Sequence, residues 1–542
     1  MHDLLYMNYN STFELLKQSL NKYSIFIFIG MYPLTLLLLY LCKKTINKIK
    51  ENKIKLLDII IFACSVFCIY FSTFYVLLAT FRELLIIPVA GIIILGLYYI
   101  KDSIKDNIQN SYVYIAVISG ITLLFLIPPF NIPDEDKHFV KSFKTSYFVV
   151  NDNGFTNLPV SIDNFKYKYT HGVLEQQTKY NGKNYFADMF EKAEYNKLSE
   201  NICNYTNTKY QSVVPYLPSS IIIFWARIIG LSPLLLVLLG RFVDLLIVII
   251  LCYYAIKTIP SFEKVLFIVA LFPIFLQQSA AINMDYLTNS IVIFLIAYIF
   301  YLKEKSDIIS NKELILLSCV SIIFAFCKFG YFPILLLVLL IPNNKFKNKK
   351  IAIIMKSSII IIPSIMSYIV GMSSGVKENT AYYTFSYALQ HPIKTMSVYF
   401  DTALWRLDLD LFRGMFDGFG VSTKWNEPLI LAIICIIYII LIAVKDNKDV
   451  LLNKKQKIGL LIICFAIIFI VYSAMFFSWT YLGAEVIDGL QPRYFIPAVV
   501  LLCIVLANDK IYLNVKNKVC LYTFAVALVH ILSFVTILTK FY

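Results

Sequence analysis

Apolar runs recur along the chain, at about 23–42, 56–81, 84–100, 112–130, 233–256, 264–281, 285–302, 313–327, 331–342, 351–370, 428–444, 458–477, 494–507 and 519–538, most of them long enough to cross a bilayer and short ones such as 331–342 readable as half of a hairpin. Roughly 20 apolar residues in helical form cross the hydrocarbon of a membrane, and in lipid only helices or closed barrels pair every backbone group. The runs are continuous rather than alternating, which excludes barrel strands. They predict an all-α integral membrane protein of about 13–14 transmembrane helices. Composition agrees: 542 residues with 59% hydrophobic and 15% charged side chains carry more apolar surface than a soluble domain can bury.

A net charge of +15 resembles a nucleic-acid signal until the lysines are placed. Six lie in KKTINKIKENKIK (43–55), four in NNKFKNKK (343–350), five in KDNKDVLLNKKQK (445–457) and three in NDKIYLNVKNK (508–518). All are short loops between apolar runs, the pattern of the positive-inside rule, and their partners are anionic headgroups rather than nucleic acid. Of 11 cysteines only Cys203 falls in a long polar segment, so no disulfide framework is expected. The opening MHDLLYMNYNSTFELLKQ lacks the layout of a cleaved signal, and the first membrane helix is expected to insert and stay.

With the lysine loops inside, polar segments 131–232, 371–427 and 478–493 face outward, as do the turns near 282–285 and 328–331. The chain divides into N-terminal membrane helices (1–111), a core (112–507) and a C-terminal helix (508–542). Within the first outer segment, VVPYLPSSIIIFWARIIGLSP (213–233) is only moderately apolar. A span there would flip the later lysine loops outward, so residues 216–229 are read as an amphipathic helix in the outer interface, with Trp225 at headgroup depth.

Three signals carry chemistry: two acidic stretches and a set of cations. LLFLIPPFNIPDEDKHFVKSF (123–143) ends an apolar run in acids and an imidazole. Pro133 suits the first turn of a helix, which would set Asp134 and His138 four apart on one face. A partly desolvated carboxylate there can act as a general base; PDED can equally cap a short helix. In LFPIFLQQSAAINMDYLTNSIVIF (271–294), Asp285 is either a cap for the next helix or a second acid at the same aqueous side. The cations are Arg241, three before Asp244 in LGRFVDLL and expected to pair with it; Lys328 in FAFCKFGYFP; and Arg493 in VIDGLQPRYFIPAVV. Snorkelling explains each alone, but together on one side they suggest a phosphate cradle, since Arg binds phosphate in bidentate fashion and Lys as a point charge. The chain lacks a P-loop, a GxGxxG before a helix, HExxH and paired CxxC motifs, which argues against ATP-driven or nicotinamide chemistry.

The order of PDE-x-x-H, the YxP of the interfacial helix, R-x-x-D, LFPxxxQQSA-x-x-x-D, Lys-x-x-Tyr and DGLQ-x-RYF-x-P resembles the bacterial multi-pass membrane family DUF2142, from about residue 112 to 507. That family is similar in layout to the glycosyltransferase-C superfamily. The resemblance implies a glycosyltransferase-C-like core in the bacterial cytoplasmic membrane. It implies inverting transfer of a sugar from a polyprenyl-phosphate donor to a cell-envelope glycan, lipid or protein on the outer face. Matched by position, Asp134 is the base with Glu135 beside it, Asp285 the acid of the second outer loop, Lys328 the lysine of the hairpin and Arg493 the arginine of the late motif; the reading of the charges adds His138 to the acids and makes Lys328, Arg493 and Arg241 the donor-phosphate ligands. Superfamily members differ in needing a divalent metal, and Asp134, Glu135 and Asp285 offer oxygen ligands for Mg²⁺ or Mn²⁺. Two departures stand out: Pro492 replaces the glycine of the late motif, and Asp136–Lys137 follows the acidic pair where a small residue is usual. The alternatives are a cell-envelope polysaccharide polymerase and a lipid-linked glycan flippase or transporter. A polymerase or flippase would lean on outer-loop arginines more than on an acid at 134, and a transporter on ionisable residues at mid-bilayer.

Overall fold

The computed structural model describes residues 107–148, 157–170, 188–202 apart from 192, 212–373 apart from 329, 381–406, 452–506 and 518–541, with Gly414 and Tyr438 as single points. The apolar runs at 23–42, 56–81 and 84–100, nearly all of 428–444, and the lysine cluster at 43–55 lie outside the described residues.

Helix α1 (Ile108–Leu126) starts at Asn107, whose side chain accepts from Asn110 N at 3.2 Å. It stops because the residue before Pro128 is forced out of helical geometry, and Ile127 is extended. The following turn carries Phe130 and Asp134 at φ of 63° and 65°, a left-handed backbone that costs a non-glycine residue about 1–2 kcal/mol. Helix α2 (Glu135–Thr145) follows, so Pro133 lies before the helix rather than in its first turn. Strands β1 (Asn157–Pro159) and β2 (Leu198–Ile202) pair antiparallel around α3 (Val160–Thr170).

Helix α4 (Leu217–Ile228) is the predicted amphipathic segment. Ser219, Ser220, Ile223 and Ala226 are buried toward α2 and the next helix, while Leu217, Ile221, Trp225 and Ile228 form an exposed apolar row. Helix α5 (Pro233–Thr258) is capped by Ser232 and begins with a proline, a position that needs no amide. The apolar run at 264–281 is not one helix but two, α6 (Glu263–Ala270) and α7 (Pro273–Ser279). Pro273 is the cause: it holds Phe272 extended and forces a restart.

Helix α8 (Asp285–Glu304) is enclosed by protein along most of its length. Helix α9 (Asn311–Ala325) opens with a Ser310–Glu313 capping box. The run at 331–342 returns as a 3₁₀ helix (Phe332–Leu340) rather than an α-helix. With about 2.0 Å rise per residue it covers more membrane depth than an α-helix of equal length. Helices α10 (Lys349–Ser373), α11 (Phe385–Gln390), α12 (Pro392–Arg406), α13 (Lys454–Trp479), α14 (Ile496–Leu506) and α15 (Lys518–Phe541) complete the described chain. Helix α15 packs against α1 and so joins the same body as the core.

Among the described residues, α1, α5, α8, α10 and α13 are long and apolar enough to cross a membrane. Their order gives the body a polarity. Lys257 and Lys303 end α5 and α8, while Lys349, Lys454 and Lys455 begin α10 and α13. Asp134, Asp285, Lys328 and Arg493 lie at the opposite helix ends.

Candidate functional site

The left-handed backbone at Asp134 decides what its carboxylate does. As the residue capping α2 it makes no side-chain bond to the helix amides. Its oxygens turn outward, Oδ1 accepting from Lys137 Nζ at 3.0 Å and Oδ2 from Arg493 Nη2 at 3.2 Å. Asp285 is freed by a different device. Asn283 Oδ1 accepts from the amides of Asp285 (2.7 Å) and Tyr286 (3.0 Å), so the amide side chain caps α8 in place of the acid. Asp285 Oδ1 then accepts from Lys328 Nζ at 2.8 Å, and Oδ2 lies 2.9 Å from Arg493 Nε. Neither acid is a plain helix cap.

The four predicted residues thus form one chain, Asp134–Arg493–Asp285–Lys328. Arg493 and Asp285 form its floor, 4% and 5% exposed, while Asp134 and Lys137 are 33% and 34% exposed at the mouth. Two carboxylates face three cations, an excess of one positive charge suited to an anionic ligand. Tyr494 braces the cations: Lys328 Nζ is 3.8 Å from its ring centre, and its carbonyl accepts from Tyr331 Oη at 3.0 Å. Arg493 also donates to Pro133 O at 3.2 Å, tying the late motif to the acidic turn.

His138 lies behind Asp134 with Nδ1 and the Tyr216 hydroxyl 2.6 Å apart. Burial drives the imidazole down to about 4 against the opposing pull of Asp134, so it is neutral at ordinary pH. Burial would raise the Asp134 carboxyl, but Arg493 and Lys137 outweigh it and hold the group below its ordinary value. Tyr216 enters from the YxP segment and stays protonated because burial pushes its hydroxyl up. Sequence reasoning passed over Tyr216, Asn283, Tyr494 and Lys137. The YxP and RYF motifs and the Lys137 departure were the available signals for three of them.

Glu135 and Arg241 correct the expectation placed on them. Both are fully buried, and Arg241 Nε and Nη2 donate to Glu135 Oε1 and Oε2, each at 2.6 Å. Arg241 also donates to Leu124 O (2.9 Å), Ile127 O (2.7 Å) and Pro128 O (3.2 Å), carbonyls at and beyond the end of α1 that have no helical partner. Glu135 accepts as well from Phe130 N at 2.9 Å and Ile282 N at 3.3 Å. The pair fixes the two turns that carry Asp134 and Asp285, and Arg241 has no face turned to a donor phosphate. It does not pair with Asp244, whose buried oxygens meet no aligned donor although Tyr286 and Ser219 lie beside them. The three-residue spacing lost to a bidentate partner from another element. Asp136 lies 3.8 Å from Lys166 on α3 and not in the chain of charges.

A divalent ion does not fit the acids as placed. Glu135 is enclosed, the Arg493 guanidinium bridges Asp134 and Asp285, and no three His, Cys, Asp or Glu side chains converge among the described residues.

Pro492, the departure in the late motif, begins the 3₁₀ turn Pro492–Phe495, where a missing amide is harmless. Its ring faces Gly414: a Cβ on that glycine would lie 2.4 Å from Pro492 Cγ. Gly414→Ala is expected to destabilise the protein by about 1–3 kcal/mol through overpacking. Pro492→Gly should recover most of that loss. Thermal unfolding of the two single variants and the double in detergent checks this, and additive effects would sink it.

A polarised bundle of membrane helices, with a charged cleft at the ends opposite its lysines, defines a multi-pass α-helical membrane protein. The chain matches the model of the family described as predicted membrane protein (DUF2142) over residues 117–502, and it belongs to that family. No curated protein and no solved structure matches it.

Proposed function

We propose that the protein is a membrane glycosyltransferase that moves a sugar from a polyprenyl-phosphate-linked donor to a cell-envelope acceptor on the extracytoplasmic face of the bacterial cytoplasmic membrane. The observation that carries this reading is the Asp134–Arg493–Asp285–Lys328 chain, which together with Lys137 has one excess positive charge, at the helix ends away from the lysine-rich loops. The positive-inside rule puts those ends outside.

In the reaction the acceptor hydroxyl oxygen attacks the anomeric carbon, the bond from that carbon to the phosphate oxygen breaks, and configuration inverts. Asp134 takes the hydroxyl proton, and polyprenyl phosphate leaves with the bonding electrons. A phosphate leaving group needs no acid behind it, unlike the paired carboxylates of glycosidases. Arg493 and Lys328 hold the phosphate charge as it develops.

The resting site holds Asp134 as a weak base, because Arg493 and Lys137 favour its ionised form. A phosphate that draws Arg493 toward itself removes one of those cations and restores basicity to the carboxylate. The base would therefore strengthen when donor is bound. Neutral His138 adds no competing charge.

The test offers membranes containing the protein a panel of radiolabelled polyprenyl-phosphate sugars, with membranes lacking it as control. One donor should be consumed, with label passing to an acceptor and free polyprenyl phosphate released. Consumption no faster than the control for every donor in the panel overturns the reading and favours polymerase or transport chemistry.

A further inference from the structure

Residues 371–427 read as an outer polar segment by sequence, yet the described part, α11 and α12, displays the opposite of a water-facing surface. Phe385, Leu389, Ile393, Met396, Phe400 and Leu404 recur at helical spacing and are all exposed, Ile393 to 83% and Met396 to 72%. Four large apolar side chains on one face of α12, with Phe385 and Leu389 exposed on the adjoining α11, are more than scattered surface residues, and patches of this kind mark a partner or a membrane.

The rest of α12 fixes which way the row points. Val398 and Thr402 are buried on the opposite face, where Thr402 Oγ1 accepts from Ile487 N at 2.8 Å. Tyr399 reaches sideways to the membrane-crossing α13, donating to Ser473 Oγ at 3.0 Å with its ring 5.8 Å from Phe469. Phe469 stands in the exposed apolar face of α13, with Ile458, Ile462 and Phe465. From Ser473 to the end of α13 at Trp479 the helix rises about 9 Å, so Tyr399 enters below the rim of the span. The apolar row on α12 is therefore continuous with the exposed apolar face of a helix long and apolar enough to cross a membrane. Lys394 and Asp401 lie together on one flank of α12, a quarter turn from the row, which marks a water side.

We propose that α11 and α12 form an amphipathic strap sunk into the membrane leaflet that borders the charged cleft, with the row from Phe385 to Leu404 covered by lipid acyl chains. This does not depend on the glycosyltransferase reading. The three faces of α12 each have a solvent: protein under Val398 and Thr402, hydrocarbon over Ile393, Met396 and Phe400, and water at Lys394 and Asp401. The strap also holds the segment that leads to Arg493. Besides Thr402, Tyr383 at its start donates to Ala484 O at 2.9 Å and accepts from Gly483 N at 3.2 Å.

The experiment places the photo-crosslinking residue p-benzoylphenylalanine at 396 or 400, and separately at 394 or 401, in the full chain in native membranes. After irradiation the purified protein is examined by mass spectrometry and gel. Acyl-chain adducts at 396 and 400, roughly tenfold above those at 394 and 401, are the expected result for a row in hydrocarbon with a wet flank. A crosslinked dimer at 396 and 400 would show that a second copy covers the row and overturn the proposal. So would a crosslink to another segment of this chain or another protein, or equal lipid labelling at all four positions. Two probes on the row guard against misfolding at one of them, because both must report the same neighbour.

Discussion

Asp134→Asn is expected to lower sugar transfer by about 10²–10⁴-fold, the usual contribution of a general base, while the protein accumulates in the membrane at the wild-type level. The separation of the two effects follows from the geometry. The Asp134 side chain makes no bond to the amides of α2, so removing its charge leaves the helix start intact. Asn tolerates the left-handed backbone at φ 65° better than most residues, so the turn is kept. Arg493 retains Asp285 as its partner. Donor binding should survive, giving a fall in kcat with little change in KM. Wild-type turnover in the Asn variant would reduce Asp134 to an anchor for Arg493. The pH profile offers a second check. Asp134 is held below its ordinary value, so it stays ionised as pH falls through the usual carboxylate range, and His138 stays neutral down to about 4. The rate should hold on the acid side until that region; an acid limb near 6.5, the unperturbed histidine value, would mean that the imidazole is not buried as described.

Arg241→Gln is expected to be the most destabilising of single changes near the site, by about 3–5 kcal/mol, because it strands a buried carboxylate. Glu135 would keep only the amides of Phe130 and Ile282, and the carbonyls of Leu124 and Ile127 would lose their Arg241 donor, while Pro128 O keeps the Asn131 amide. Loss of monodisperse protein on detergent size exclusion, or a lowered unfolding temperature, measures it. Pairing the change with Glu135→Gln should recover part of the loss by removing the stranded charge, but not all, since the carbonyls stay unpaired. A single variant as stable as wild type would refute the clamp.

Much of the membrane layout is legible in the sequence because hydropathy and proline act locally. The spans at α1, α5, α8, α10 and α13 coincide with apolar runs, and α1 stops where Pro128 requires. What escaped were features that depend on backbone angle or on partners distant in sequence. Asp134 and Glu135 are neighbours with similar side chains, yet one faces the cleft and the other is enclosed, and only the left-handed turn at Asp134 separates them. Arg241 and Asp244 have the spacing of a helical pair, but a fork of two oxygens from Glu135 outcompetes it. The split of 264–281 is carried by Pro273, whose local effect on Phe272 overrides the continuous apolar run around it. Asp285, Lys328 and Arg493 were recognisable as a group because each is a charge at the edge of an apolar run; that Arg493 bridges the two acids was not.

The contact between Gly414 and Pro492 has a historical reading. A proline ring at 492 leaves no room for even a methyl group at 414, whereas a glycine at 492 makes no such demand. From a chain with glycine at 492, the residue the resemblance implies there, the present pair is reached at least cost by acquiring Gly414 first or at the same step. Proline at 492 would then act as a ratchet, since any later side chain at 414 is penalised until 492 reverts. Chains that carry Pro at 492 are expected to carry Gly at 414, while chains with Gly at 492 are free to vary there.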